Sequence, residues 1–137
     1  MVNMTTHGKY LLDTCVCVAI LKNQYGIRER IVNLNPLECK ISEITRAELL
    51  FGAVKSGKEK HFDDVKVVTN LFEVVGISEC LEKYAEIRWQ LERMGQMIDS
   101  FDLLIAATAI AKDYVLVTGN VRHFNRIPEL HVENWMQ

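Results

Sequence analysis

The sequence predicts an α/β fold: a short central parallel β-sheet of four to five strands, flanked by helices on both faces. Three observations carry this expectation. Short apolar runs alternate along the chain with longer runs of helical spacing. The first apolar run leads directly into a helix, as in units that build parallel sheets. The chain has 137 residues, of which 49% are hydrophobic and 25% charged, enough for one compact core and no second one. A single domain over residues 1–137 is expected.

Lys9-Tyr10-Leu11-Leu12 reads as a short buried strand, and Asp13-Thr14 opens a helix over Cys15 to Leu21. Ile27 to Leu34 has helical spacing and stops before Asn35-Pro36, where the residue preceding proline disfavours helix. Cys39-Lys40-Ile41-Ser42 is a second strand, and Thr45 starts a helix over Ala47 to Val54. Phe62 to Asn70 forms a further helix, Leu71 to Val75 a third strand closed by Gly76, and Ser78 to Met94 a long amphipathic helix ending at Gly95. Phe101 to Ala111 is an Ala-rich apolar helix and Val115-Leu116-Val117 a fourth strand. Arg122 to Asn125 makes a short helical turn, and His131-Val132 an edge strand.

A net charge of −2 excludes a general basic coat for nucleic acid, so any such contact is local. Cys15, Cys17, Cys39 and Cys80 form no C-x-x-C pair and no cluster with the four histidines, which argues against zinc and redox motifs. Reduced, buried thiols in a cytoplasmic protein are the expectation. Met1 to Lys9 is polar, and no apolar run reaches the roughly 18–20 residues that span a bilayer.

In a parallel α/β sheet, residues just past the carboxyl ends of the strands line a common crevice. Asp13 follows strand one, Glu48 falls in the first turn of the helix after strand two, and Thr118 and Asn120 follow strand four. Asp99 and Asp102 open the helix that feeds strand four. Each acid also has a structural reading. Thr45-x-x-Glu48 matches a capping box, Asp99 an N-cap with Asp102 at the third helical position, and Asp13 the start of a helix. Capping does not require three or four carboxylates on one side of one sheet, and close like charges repel unless a cation intervenes. Carboxylates without attendant His or Cys suit Mg²⁺ or Mn²⁺ and phosphoryl chemistry. Hydrolysis by a metal-activated water is the simplest chemistry such a site offers.

Tyr10-Leu11-Leu12-Asp13-Thr14, Ile44-Thr45-Arg46-Ala47-Glu48-Leu49-Leu50-Phe51-Gly52 and Ile98-Asp99-Ser100-Phe101-Asp102-Leu103-Leu104-Ile105-Ala106-Ala107 resemble, in order and spacing, the three acidic motifs of VapC-type PIN domains. Leu116-Val117-Thr118-Gly119-Asn120, then His123-Phe124, Arg126-Ile127-Pro128 and Glu133-Asn134-Trp135, resemble that family's closing motif. The resemblance spans the chain from Lys9 onward. It implies a PIN-like fold and a metal-dependent endoribonuclease that serves as the toxin of a toxin–antitoxin pair. By the same resemblance, Asp13, Glu48 and Asp102 hold Mg²⁺ or Mn²⁺, and Thr14, Thr118 and Asn120 complete the pocket. An RNA substrate, a small DNA-binding antitoxin and homodimerisation follow as expectations. Two positions depart from the pattern: Cys15 stands where the family often has Asn or Ser, and Asn120 where some members place an acid. Asp99 is acidic only in some members, and its position at a helix start assigns it chiefly to the helix end.

Phosphate contacts need local positive charge, and Arg46, Lys55, Lys58, Lys60, Arg122, His123 and Arg126 lie near the motif ends. Arg46 is the first candidate, although an offset of two from Glu48 points it to another helix face. Trp89, Leu91, Met94 and Met97 are expected to pack helices together, and Trp135 to dock the tail. The apolar faces of Cys15 to Leu21 and Ala47 to Val54 leave burial and partner binding as competing accounts. Three further functions stay open on the residues alone. One is a binding protein with a decayed site. Another is an aspartyl-phosphate phosphatase using Asp13, which wants a second Asp where Cys15 stands. The last is a DNA nuclease, because an acidic site does not itself read the 2′-hydroxyl.

Overall fold

The computed structural model describes residues 9–137. The polar opening read over Met1 to Lys9 therefore lies, except for Lys9, outside the described residues. Five strands form one wholly parallel sheet: β1 (Tyr10–Leu12), β2 (Cys39–Ser42), β3 (Glu73–Val75), β4 (Val115–Val117) and β5 (Val132–Glu133). Their order is β3-β2-β1-β4-β5, so β1 is central. The intervening helices are α1 (Thr14–Leu21), α2 (Ile27–Leu34), α3 (Glu43–Ser56), α4 (Glu59–Leu71), α5 (Leu81–Arg93), α6 (Ser100–Ala111) and α7 (Val121–Phe124). Short 3-10 turns occupy Pro36–Glu38 and Ser78–Cys80.

Side chains alternate across a strand, so each strand feeds two cores. Leu11 and Leu116, partners in register, face Ile87 and Leu91 of α5, Leu103 and Ala107 of α6, and Phe124. Leu12 and Val117, also partners, face Val16 and Ile20 of α1, Ile27 and Ile31 of α2, Val68 of α4 and Phe72. Helices thus cover both faces, as the alternating pattern predicts. Trp135 docks the tail into the second core, with its ring 5.2 Å from that of Tyr10 and the Arg30 guanidinium 4.6 Å from its centroid. Its indole Nε1 donates to Glu133 at 2.9 Å.

Several boundaries differ from expectation. α3 starts at Glu43, because Ser42 leaves the end of β2 and its hydroxyl accepts from Ile44 N at 3.0 Å. Thr45 is therefore inside the helix and caps nothing, and Glu48 sits in the second turn, not the first. α4 runs on through Leu71, which delays β3 to Glu73. α5 is preceded by a 3-10 turn, and β5 is displaced by one residue. Gly57 ends α3 with φ +67°, a conformation that glycine adopts without steric cost.

The packing expectation for the long helix is corrected in part. Leu91 is buried, but Trp89 is exposed because α5 turns only one face to α6 and the sheet, and Met94 and Met97, which lie past the end of α5, are exposed too. The apolar character of α1 is explained by burial of Val16, Cys17, Ala19 and Ile20. That of α3 is not, because Phe51 and Val54 are 66% and 65% exposed.

Candidate active site

The sheet order creates a switch point. From β1 the chain steps to β2 and β3 on one side, then crosses to β4 on the other. Open α/β sheets bind ligands outside the carboxyl ends of strands at such a reversal. Asp13 directly follows β1 and Thr118 directly follows β4, its neighbour.

Asp13 is buried and held from every side. Its backbone N donates to Val117 O at 2.9 Å, which extends the β1–β4 pairing by one residue. Oδ1 accepts from Thr14 N at 2.8 Å and caps α1, while Oδ2 accepts from the Thr118 hydroxyl at 2.7 Å. Burial pushes the Asp13 carboxyl above its ordinary value, and the hydrogen bonds from Thr118, Thr14 and Cys15 draw it back. The Cys15 thiol lies 3.8 Å from both Asp13 Oδ2 and Thr118 Oγ1, and accepts from Gly119 N at 3.4 Å. Cys15 thus fills the Asn or Ser position of the resemblance as part of the same polar cluster.

Thr118 is fully buried, and its oxygen also accepts from Asn120 N at 3.0 Å. Asn120 itself is exposed and its side chain does not cap α7. Gly119 permits a close approach: a Cβ there would meet Met136 Sδ at 2.9 Å. Met136 therefore braces the turn on which Thr118 and Asn120 sit.

Glu48 projects from α3 and is half-buried, and its Oε1 accepts from the Thr14 hydroxyl at 2.5 Å. Asp99 is exposed and caps α6, accepting from Phe101 N at 3.0 Å. Asp102, in the first turn of α6, is half-buried, and its carboxyl is pushed up to about 6. Burial contributes most; the charges of Asp13, Asp99 and Glu48 follow in that order. Four acids from three chain segments thus lie close enough for Asp13, Asp99 and Glu48 to raise the Asp102 carboxyl. The site residues Asp13, Thr14, Glu48, Asp99, Asp102 and Thr118 are brought to one crevice. Arg46 is exposed on α3, and two residues along a helix is about 200° of rotation, so it leaves the Glu48 face.

Among the described residues, no three His, Cys, Asp or Glu side chains are grouped closely enough to hold a metal ion by themselves. After burial, the charges of Asp13, Asp99 and Glu48 also raise the Asp102 carboxyl, which places these carboxylates near one another. Mg²⁺ and Mn²⁺ fit such an open donor set, because they take one or two carboxylates and keep several waters.

The pattern of residues did not single out Thr45, whose capping-box spacing offered a sufficient explanation. A groove of about 390 Å³ between α1, α3 and α4 was also not foreseen. Thr14 and Glu48 line it together with Lys22, Lys60 and His61.

A parallel α/β sheet with carboxylates gathered at its switch point defines a protein suited to a hard divalent cation and a phosphate-bearing ligand. Sequence comparison is more specific: a family model for the PIN domain matches residues 10–130. Ribonuclease VapC2 of Rickettsia felis is 40% identical over 132 residues, covering 92% of this chain and 97% of that protein. The tRNA(fMet)-specific endonuclease VapC of Salmonella typhimurium is 37% identical over 130 residues, covering 93% and 98%. Among solved structures, DNA-bound VapBC from Salmonella typhimurium gives a TM-score of 0.87 at 36% identity over 93% of this chain and 98% of that one. VapBC2 from Rickettsia felis, bound to a promoter DNA fragment, gives 0.84 at 38% identity, covering 92% and 98%. The chain belongs to the PIN-domain family, and within it is similar to the VapC ribonucleases.

Proposed function

We propose that this protein is an endoribonuclease that hydrolyses RNA phosphodiester bonds with Mg²⁺ or Mn²⁺ held by Asp13, Glu48 and Asp102. The observation that carries the reading is the approach of Asp13 and Glu48 to Asp102 at the switch point, where their charges add to burial in raising the Asp102 carboxyl. The similarity to VapC ribonucleases over more than nine-tenths of the chain supports RNA as the substrate. A divalent cation, when bound, supplies charge that offsets the phosphate and acidity for a water molecule. The chain's own contribution is placement. Thr118 and Thr14 N orient Asp13, the Thr14 hydroxyl orients Glu48, and Asp99 fixes the start of the helix that presents Asp102.

The same reading makes the chain a cytoplasmic toxin, because the similar solved structures are VapBC pairs. Its antitoxin is a DNA-binding protein whose C-terminal segment lies across the crevice and supplies an Arg or Lys to the carboxylates. Among the described residues no helix is long and apolar enough to cross a membrane.

The test is incubation of purified protein with mixed RNA, tRNA(fMet) included, and with single-stranded DNA. Mg²⁺, excess chelator and an Asp13→Asn control complete the set. RNA cleavage is expected only with metal and only with Asp13, leaving 5′-phosphate and 3′-hydroxyl ends. Full activity in chelator, or 2′,3′-cyclic phosphate ends, overturns the mechanism. Cleavage of DNA in place of RNA overturns the substrate.

A further inference from the structure

Thr45 is fully buried in the first turn of α3, where Ser42 has already taken the capping role. A buried hydroxyl left without a partner is costly, so its contacts have meaning. The Thr45 oxygen lies 3.2 Å from the Thr14 hydroxyl oxygen, and that same Thr14 oxygen lies 2.5 Å from Glu48 Oε1.

The Thr14 hydroxyl has one proton to donate. A separation of 2.5 Å falls in the range of roughly 2.5–2.7 Å for a hydroxyl donating to a carboxylate. At 3.2 Å the pair of hydroxyls is longer than usual for such a bond. The Thr14 hydroxyl is the donor in both contacts, so its one proton lies chiefly toward Glu48 and the Thr45 oxygen is its second, weaker acceptor. Held between these two acceptors, the Thr14 hydroxyl is restricted in its rotation. Thr45 and Glu48 are three apart on α3 and share a face, while Thr14 opens α1. The relay thus ties the starts of two helices to one carboxylate.

We propose that Thr45 is a positioning residue which, acting from the core through the Thr14 hydroxyl, holds the Glu48 carboxylate in a single orientation in the acidic crevice. This rests on the reading of Glu48 as a carboxylate of the reaction site. Removing the Thr45 hydroxyl frees Thr14 to rotate, and Glu48 then samples orientations that do not serve the site.

Four forms of the full chain test it: Thr45→Val, Thr45→Ser, Thr14→Val and the double substitution Thr14→Val/Thr45→Val. The rotamer distribution of Glu48, from side-chain couplings by NMR without RNA, is expected to show one rotamer in wild type and Thr45→Ser. Thr45→Val should show averaging. In single-turnover RNA cleavage, Thr45→Val should slow the reaction roughly 10- to 100-fold with KM unchanged, as small misplacements do. Thr45→Ser should restore the rate. In the Thr14→Val background the second substitution should add nothing, because the relay is already broken.

An equal fold-loss in both backgrounds overturns the proposal. So does Thr45→Ser as slow as Thr45→Val, or a Glu48 that keeps one rotamer in Thr45→Val. If Thr45→Val does not fold, Thr45→Ala takes its place with the same expected outcomes. A wild-type chain that cuts no RNA defeats the ribonuclease reading alone, and the Glu48 rotamers still decide the role of Thr45.

Discussion

Asp102 and Asp99 stand three residues apart at one helix start, yet their surroundings give them different work. The Asp102 carboxyl is raised from 3.8 to about 6 by burial and by Asp13, Asp99 and Glu48. In that interval the native state binds more protons than the unfolded one, so stability falls as pH rises from about 4 to about 6, and the loss is complete above. Metal-free Asp102→Asn should therefore melt higher than wild type at about pH 8, with the gap narrowing as pH falls through 6. Thermal melts at several pH values check this, and a gap independent of pH would contradict it. The same variant should abolish RNA cleavage, because a neutral amide does not neutralise a cation. Asp99→Ala instead removes the cap on Phe101 N and should cost about 0.5–2 kcal/mol of stability while keeping partial activity. If Asp99→Ala is inactive at an unchanged melting temperature while Asp102→Asn still cuts, the two roles are reversed.

Helix starts show where residue patterns inform and where they mislead. Ser42 and Thr45 are both good caps three residues apart, and the Thr45-x-x-Glu48 spacing favours the second. The backbone chose the first, because the chain leaving β2 is still extended at Ser42 and already helical at Glu43. Ser42→Ala should then destabilise the fold by about 0.5–2 kcal/mol in chemical denaturation, whereas the capping-box reading predicts no loss there. By contrast α2, β2 and β4 fall where expected, because Asn35-Pro36 and the flanking apolar runs leave no competing boundary. Asp13 and Thr118 could be placed at the sheet edge for the same reason, since each directly follows a strand, whereas the place of the α6 acids depended on where that helix begins. The partnership of Thr14, Thr45 and Glu48 was not legible, since it depends on how two helix starts meet, and spacing within one helix does not encode that. Helical spacing likewise placed Trp89 and Leu91 on α5 without telling which of them the sheet would cover.

For the molecule as a whole, the exposed large apolar residues Phe51 and Val54 of α3 favour association with a second copy. Sedimentation at micromolar concentration should give twice the 15.7 kDa chain mass, and a lone monomer would count against a homodimer. The docked tail has a different consequence, in the timing of synthesis. Tyr10 in the central strand meets its ring partner only at Trp135, and Met136 braces the turn that holds Asp13 through Thr118. A ribosome making roughly 5–20 residues per second needs on the order of ten seconds to pass from the first of these to the last. Throughout that delay the second core lacks Trp135 and the turn after β4 lacks Met136. Until Trp135 and Met136 emerge, the nascent chain is expected to lack the packing that steadies the turn at Thr118, so it should not cleave the messenger that encodes it.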